Sequence, residues 1–375
     1  NDNSNGGLTG GSSNMVKVAQ MEYDGGSGGG NSHLTTRTAY IQDSDTDKRE
    51  TTYEHDFRGR AIVQNNPQAP HVVRTFDNLG RQTAVGLYSS TSGLTETTDP
   101  VSVDTNRVAL SQMYYDERGR VWKSERHNID EDGTSLETLL TLTWFDPAGR
   151  VMKVDGEQLV KYVYNRVGWL IDTAVLASDD DSAYSTSPTT TSVAIWDAAG
   201  GRTHLEGDKI LQEQRTSYET TTGNALMRAT IGRHHGDTSG TGPLDSNADA
   251  DLMKYTAANI TGRIQITSMW YDELDRLEET VAYGTYGIVG DGSTTTGTFD
   301  RTGMTVPSRS ATALRTSYTY TYDAGGGTTR DDGRLHEVTD PGAKVARTLF
   351  DAADRTTARI RNYVNGTPSG EAGDD

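Results

Sequence analysis

The amino-acid sequence predicts an all-β protein built from tandem antiparallel hairpins, and three observations carry that reading. The composition favours strand and turn formers: 41 Gly and 18 Tyr stand against 9 Pro and 5 Phe, with Thr abundant throughout. A short motif recurs, in which an aromatic residue or His is followed by Asp, two or three variable residues and then Gly-Arg. On either side of it, large and small side chains alternate with the period of two that a strand imposes.

The motif appears in order as His55-Asp56 with Gly59-Arg60, Phe76-Asp77 with Gly80-Arg81, Tyr115-Asp116 with Gly119-Arg120, and Phe145-Asp146 with Gly149-Arg150. Looser copies follow at Tyr164-Asn165 with Gly168-Trp169, Trp196-Asp197 with Gly201-Arg202, Tyr271-Asp272 with Asp275-Arg276, and Phe350-Asp351 with Asp354-Arg355. A Gly-expanded version is expected to open at Tyr322-Asp323 and close at Gly333-Arg334. One copy shows the physics. Alternating runs, 140–145 and 150–154, flank Asp146-Pro147-Ala148-Gly149. Asp suits the first turn position because its carboxylate accepts backbone N–H groups, Pro presets φ at the next, and Gly takes the positive φ that returns the chain. That is a hairpin. Asp275 and Asp354 fit the Gly position because Asp tolerates the left-handed region better than most residues. Arg is expected after the turn, in preference to Lys, because a guanidinium can pair with Asp or carbonyl oxygens while stacking on the next ring.

The strands alternate large residues with Thr, as in Tyr318-Thr319-Tyr320-Thr321-Tyr322, and neither face reads as a dry core. The copies are irregularly spaced, so long insertions are expected to project from the hairpin tips. Four segments read as such insertions, 24–32, 178–192, 236–251 and 290–310, with compositions too polar to pack. The chain divides into a Gly/Ser/Asn-rich start with a first strand over 1–32, a hairpin array over 33–366, and a polar acidic tail over 367–375 where the array is expected to be truncated.

These residues and their spacing resemble the YD-repeat or Rhs family, also found in teneurins and in the shells of insecticidal toxin complexes. The run from Gly333-Arg334-Leu335-His336 through Asp340-Pro341-Gly342 to Phe350-Asp351 and Arg355 is especially close to the family pattern. It is similar to that of very large planctomycete-type YD-repeat proteins. The resemblance implies a sheet spiralling into a hollow β-shell or solenoid-like wall that encloses a C-terminal cargo or toxin domain in many members. The self-cleaving segment and toxin that end Rhs cores are not found after Gly366. Because the chain begins at Asn1, it reads as a slice of something longer.

With 53 acidic and 35 basic residues the formal charge is -18, which repels phosphate backbones and argues against nucleic acid. No apolar run reaches the ~20 residues of a membrane span. The absence of Cys removes disulfides and thiolate chemistry. No cofactor is expected, with one candidate exception: Asp43, Asp45 and Asp47, with Glu54 at the twelfth position, have the oxygen-ligand spacing of a Ca2+ loop, although Lys48 stands where its sharp turn wants Gly. A second partial match, Asp245, Asn247, Asp249 and Asp251, lacks the twelfth-position acid. His234-His235 is the one His cluster and no HExxH pair exists, while Gly26-Ser27-Gly28 lies in a Gly run with no strand leading directly into a helix, so it is not read as a nucleophile elbow. The repeat Asp residues read as turn formers, not catalytic acids.

The sequence therefore reads as a non-catalytic structural segment of an extracellular or secreted bacterial protein. Its expected partners are further repeats of the same protein or identical chains, and an encapsulated C-terminal domain. Three rival readings are a cell-surface adhesion module that grips glycan, a polysaccharide-acting hydrolase built on a β-solenoid, and a filament-forming subunit.

Overall fold

The computed structural model describes residues 17–24, 30, 32–41, 48–179, 205, 207–234, 236–237, 240–244, 254–256, 262–285, 298–323 and 329–362. The chain forms two compact units, Asn1–Trp144 with Asp155–Glu157, and Phe145–Val154 with Gln158–Asp375. Twenty strands belong to one antiparallel sheet in hairpin order. Among the described residues no helix is long and apolar enough to cross a membrane.

The first unit contains β1 (Ala19–Tyr23), β2 (Leu34–Tyr40), β3 (Lys48–His55), β4 (Ala61–Asn65), β5 (His71–Phe76), β6 (Gln82–Tyr88), β7 (Arg107–Tyr115), β8 (Val121–Ile129) and β9 (Ser135–Phe145). Each pairs antiparallel with the next. The second unit opens with β10 (Val151–Asp155), β11 (Leu159–Tyr164), β12 (Leu170–Ser178), β13 (Lys209–Tyr218) and β14 (Ala225–Arg233). It continues with β15 (Lys254–Thr256), β16 (Gly262–Tyr271), β17 (Leu277–Thr285), β18 (Thr298–Asp300), β19 (Leu314–Thr319), β20 (Thr321–Asp323) and β21 (Thr329–Asp331), and closes with β22 (Glu337–Thr339), β23 (Val345–Phe350) and β24 (Thr356–Ile360). From β11 the sheet order is β12, β13, β14, β16, β17, β19, β22, β23 and β24. The strands β15 with β18, and β20 with β21, form two-stranded ribbons.

Antiparallel order sends alternate connections to opposite edges of the sheet within each unit. The Asp motifs form tight turns at one edge, and the connections that lead from one hairpin to the next lie at the other. This corrects the expectation that long insertions project from the hairpin tips. The segments 178–192, 236–251 and 290–310 stand in sequence between β12 and β13, β14 and β16, and β17 and β19, pairs whose strand ends meet away from the motif turns, with 180–192, 238–239, 245–251 and 290–297 outside the described residues. The segment 24–32 does lie at a tip, that of β1 and β2.

A second correction concerns the core. One sheet face is dry in each unit, because the connections fold back over it. In the second unit the register sets Ala229 opposite Ile266 and Ile231 opposite Ile264. These residues cluster with Ile210, Ala174 and Leu176 beneath Leu205, Leu244 and Phe299, which all come from connections or the ribbon beside them. In the first unit Leu94 and Val103 of the β6–β7 connection cover Val63, Val73 and Tyr88. Tyr88 Oη donates to the Val103 carbonyl at 2.9 Å, and Arg107 Nη1 donates to the Pro100 carbonyl at 2.8 Å. A polar connection thus needs only one or two apolar residues to be held down.

The dry face of the second unit also buries charge. Lys161 Nζ lies 2.7 Å from Asp208 Oδ2, both side chains fully buried. Glu213 Oε2 accepts the Leu244 N–H at 2.6 Å, which ties the β14–β16 connection to β13. Cross-strand register places Asp172 opposite Arg215, two residues along the strands from the Ala174–Glu213 pair. Such groups are stable in a low-dielectric interior only when paired.

Candidate functional site

The repeated motif turn recurs through both units, and it is built from three hydrogen-bonding layers. The backbone closes first: Asp77 N–H donates to the Arg81 carbonyl at 2.9 Å, and Gly80 N–H donates back to the Asp77 carbonyl at 3.0 Å. The Asp carboxylate then fills the turn, with Asp77 Oδ1 accepting the N–H groups of Leu79 and Arg81, both at 2.9 Å. Finally Arg81 Nε reaches Asp77 Oδ2 at 2.6 Å. Asp56 with Arg60, Asp116 with Arg120, Asp272 with Arg276 and Asp351 with Arg355 repeat all three layers. Asp146 and Arg150 share the closing bonds, with Nε to Oδ2 at 2.6 Å. Strand register shifts by a residue at the motif's aromatic position, for example between Thr75 and Phe76 and between Trp270 and Tyr271. This is the bulged turn that a positive-φ residue in the fourth position permits. Gly168 takes it at φ 103°, while Asp275 and Asp354 take it at 61° and 64°.

The carboxylates titrate accordingly. Burial pushes the Asp56 and Asp116 carboxyls up, but hydrogen bonds from the paired Arg and from backbone N–H groups outweigh it, and both pKa values lie below 3.8. Asp77, Asp272 and Asp351 shift in the same direction.

Five turns also grip the next hairpin. The Arg60 guanidinium lies over Phe76 at 4.7 Å, Arg81 over Tyr115 at 4.5 Å, Arg150 over Tyr164 at 4.6 Å, Arg276 over Tyr320 at 4.3 Å and Arg334 over Phe350 at 5.0 Å. Where the motif ring is Tyr, its hydroxyl can reach back across the rung. Tyr115 Oη donates to the Gln82 carbonyl at 2.7 Å, and Tyr218, Tyr271 and Tyr320 donate to the carbonyls of Leu170, Ala225 and Leu277 at 3.0 Å. In every case the acceptor directly follows the preceding turn. The guanidinium runs on past the ring toward the next turn's fourth residue: a Cβ built on Gly168 would fall 2.9 Å from Arg150 Nη1. At Gly168 the position therefore asks for Gly twice, once for φ and once for space, whereas at Gly80 and Gly119 such a Cβ would stand 3.8 and 3.5 Å from the guanidinium and only φ asks for it.

Two rungs escape a reading based on Asp, Gly and Arg. In Tyr23-Asp24 the closing residues are Ser32, at φ 63°, and His33, whose N–H donates to Asp24 Oδ1 at 2.9 Å and whose ring stacks on His55 at 5.0 Å. In Tyr218-Glu219 the turn closes at Gly223-Asn224, and Trp169 of the preceding turn packs on Tyr218 at 5.3 Å. Both keep an aromatic followed by an acid, the one signal by which they could have been found. The expanded copy needs correction as well. The ring that receives Arg276 is Tyr320, not Tyr322, and Asp332 pairs with Arg334 through Nε to Oδ2 at 2.9 Å. Tyr322 packs instead on His336 at 4.8 Å. Arg276 also reaches Asp331 through two bonds of 2.8 and 2.6 Å, and these hold that carboxyl down at about 2.

Of the candidate Ca2+ ligands, Asp43, Asp45 and Asp47 lie outside the described residues, and Glu54 is half-buried in β3 opposite Val63. Asp245, Asn247, Asp249, Asp251 and His235 also lie outside them, as does the copy at Trp196. No group of three or more His, Asp or Glu among the described residues is arranged to hold a metal. His127 ties three strands together, with Nδ1 2.7 Å from Ser135 Oγ and Nε2 2.9 Å from Gln112 Oε1. A cleft of about 450 Å³ opens beside the β16–β17 turn, lined by Glu219, Trp270, Asp272, Asp275 and Arg301 among others. There Arg301 stacks on Trp270 at 4.1 Å and donates to the carbonyls of Met269 and Met304, both at 3.0 Å.

No family model matches the chain, and no curated protein matches it. Solved structures do. A crystal structure of TcdB2-TccC3-Cdc42 aligns over 88% of this chain and 15% of its own, at 14% identity and a TM-score of 0.37. The Tc holotoxin pore of Photorhabdus luminescens, with a mutated TccC3, aligns over 90% and 17%, at 11% identity and a TM-score of 0.25. A TcdB2-TccC3 crystal structure aligns over 88% and 26%, at 10% identity and a TM-score of 0.18. The chain thus spans about a quarter or less of each of these chains.

Proposed function

We propose that this chain is a non-catalytic wall segment of a secreted, Rhs-like YD-repeat protein, and that the finished wall encloses a cargo domain. The observation that carries the reading is the rung-to-rung grip of Arg on the next aromatic ring. It makes each hairpin a fitting for its neighbour along the turn edge, where a ligand-binding or catalytic protein would instead converge unlike groups on one place. The connections, folded back as a lining of one face, support the same reading, because they thicken the sheet into a two-layer wall without a separate domain.

Enclosure has a direct test. The full-length protein from which this segment comes should be treated with a nonspecific protease and the fragments mapped by mass spectrometry. A domain enclosed by the wall is expected to survive while the array is intact and to be cut once the array is unfolded by denaturant. Equal cleavage of that domain before and after unfolding would overturn enclosure.

A further inference from the structure

The dry face of the second unit holds an amine and a carboxyl group that the turn geometry does not use. Lys161 Nζ stands 2.7 Å from Asp208 Oδ2, and neither side chain has any solvent exposure. Register sets Lys161 of β11 opposite Ala174 of β12, and Ala174 opposite Glu213 of β13. Directly opposed residues share a face, so a lysine, an alanine and a glutamate follow one another across three strands. The row continues through Ile231 and Ile264, and none of these five residues is more than 2% exposed. Two strand spacings separate the Lys161 and Glu213 backbones by about 10 Å, a gap that a lysine stem and a glutamate arm are long enough to close over the small Ala174 side chain. Ala174 belongs to one apolar cluster with Leu205, Ile210 and Leu244. The β14–β16 connection holds both acids in place, with Gly242 N–H donating to the Asp208 carbonyl at 2.8 Å and Leu244 N–H to Glu213 Oε2 at 2.6 Å.

We infer that Lys161 and Asp208 condense into an amide, a covalent staple between β11 and the residue that leads into β13, with Glu213 as the proton relay. In the freshly folded chain the two groups are the ion pair described above. Passing one proton from the ammonium to the Asp208 carboxylate gives a neutral amine and a carboxylic acid, which leaves no charge on either group in the low-dielectric interior. The Nζ lone pair then attacks Cγ of Asp208, and a nitrogen–carbon bond forms. Glu213 takes a proton from the nitrogen and returns it to the departing hydroxyl, the carbon–oxygen bond breaks, and one water leaves. Nothing is oxidised or reduced, and Glu213 ends as it began. Amines and carboxylic acids do not condense in dilute neutral water. Groups held in contact react as if at about 10⁵–10⁸ M, and a dry surrounding withholds the water that would reverse the step. The product joins positions 47 residues apart, across the β12–β13 connection, in a chain that has no Cys to do so.

Intact-mass spectrometry of the folded chain, followed over time at neutral pH, tests the inference. The unaltered chain is expected to become lighter by one water, and digestion with trypsin to yield a branched peptide that joins 154–166 to 203–209 through Lys161 and Asp208. The same chain kept unfolded in denaturant should retain its full mass. Lys161→Met, which keeps an apolar stem without the amine, should retain its full mass when folded. Glu213→Gln still offers an oxygen to the Leu244 N–H but relays no proton, and is expected to lose water about a hundredfold more slowly or not at all. An unaltered rate in E213Q overturns the role assigned to Glu213. A folded chain that keeps its full mass, or whose lost water maps to any other residue, overturns the staple itself. Far-UV circular dichroism shows whether each variant folds, and the mass and branched peptide of the unaltered chain decide the matter without them. Loss of the staple leaves the wall-segment reading in place, since that reading stands on the turn edge.

Discussion

The two edges of the sheet end the same strands by opposite means. At the turn edge the Asp56, Asp77, Asp146 and Asp272 reversals are short, carry their own carboxylate, and hand an arginine to the next ring. At the connection edge the reversals range from the Asp130 and Asp340 turns to spans of more than twenty residues between β12 and β13. Even the short ones differ. Asp130 and Asp340 accept the N–H of Thr134 and Lys344 at 2.7 and 2.8 Å, as a motif Asp would, but the residue that follows supplies no guanidinium. A carboxylate is enough to make a turn; an arginine after it is what joins one turn to the next. The connection edge obtains its cohesion differently, by burying apolar plugs and paired charges on the sheet face.

That contrast breaks first where charge is buried. Lys161→Ala or Asp208→Ala is expected to cost about 3–5 kcal/mol by chemical denaturation, because either change removes one member of a fully buried ion pair. The double change Lys161→Met with Asp208→Leu should recover most of the loss. If the single variants lose less than about 1 kcal/mol, the salt bridge does not anchor the connection that ends at Asp208. Leu244→Ala, which removes a plug that is 2% exposed, should cost about 2–4 kcal/mol and increase proteolysis within the β14–β16 connection. Unchanged cleavage there would mean that the connection is held by its backbone bonds alone.

The next comparison is between two glycines with similar backbones on opposite edges. Gly93, in the β6–β7 connection, has φ 79° and open space where a Cβ would stand. Gly168, in a motif turn, has φ 103° and Arg150 in that space. Gly93→Ala should therefore show only the conformational penalty of about 1 kcal/mol. Gly168→Ala should exceed it and reach about 2–3 kcal/mol, because the Arg150 guanidinium must leave Tyr164 as well. Equal losses at the two sites would show that arginine yields freely and that the motif glycine serves φ alone.

These effects also mark how far the sequence reaches. The all-β class and the hairpins are legible because alternation and turn chemistry are local: Asp146-Pro147-Ala148-Gly149 specifies a reversal with no knowledge of its neighbours. The identity of what lies between the hairpins is not local. Leu244 is a single apolar residue in a polar run, and its value comes from the Ile231 and Ile264 face, which only register brings beneath it. Lys161 and Asp208 are separated by 47 positions and meet through strand order. The rungs at Tyr23 and Tyr218 escape notice for a different reason. His33 and Asn224 satisfy the backbone at the turn's last position without being Arg, so the fold tolerates a change that a motif search does not. Tyr320 illustrates the converse: Tyr322-Asp323 matches the motif better, yet the ring opposite Arg276 is chosen by strand length.

The smallest expected effect separates the first rung from the others by pH. Burial lowers the His55 pKa below 6.5, helped by the adjacent His33 and opposed by Asp24 and Asp56. A histidine whose folded pKa is depressed binds fewer protons folded than unfolded, so the stability it permits is complete above pH 6.5 and declines as pH falls toward its folded value. The Asp turns behave in the other window. Their carboxyl pKa values lie below 3.8, so their contribution is complete above that value and is lost only as pH falls through the lower folded values. Between pH 7 and 5 the His33–His55 rung should loosen while the arginine rungs hold, seen as faster amide exchange in β2 and β3 with β5 to β8 unchanged. His55→Phe, which supplies the ring found at Phe76, is expected to abolish that response and leave the acid transition below pH 4 in place. If exchange in β2 and β3 is flat from pH 7 to 5 in the unaltered chain, the stacked histidines are interchangeable with the arginine and ring of the later rungs, and the two kinds of rung differ in sequence alone.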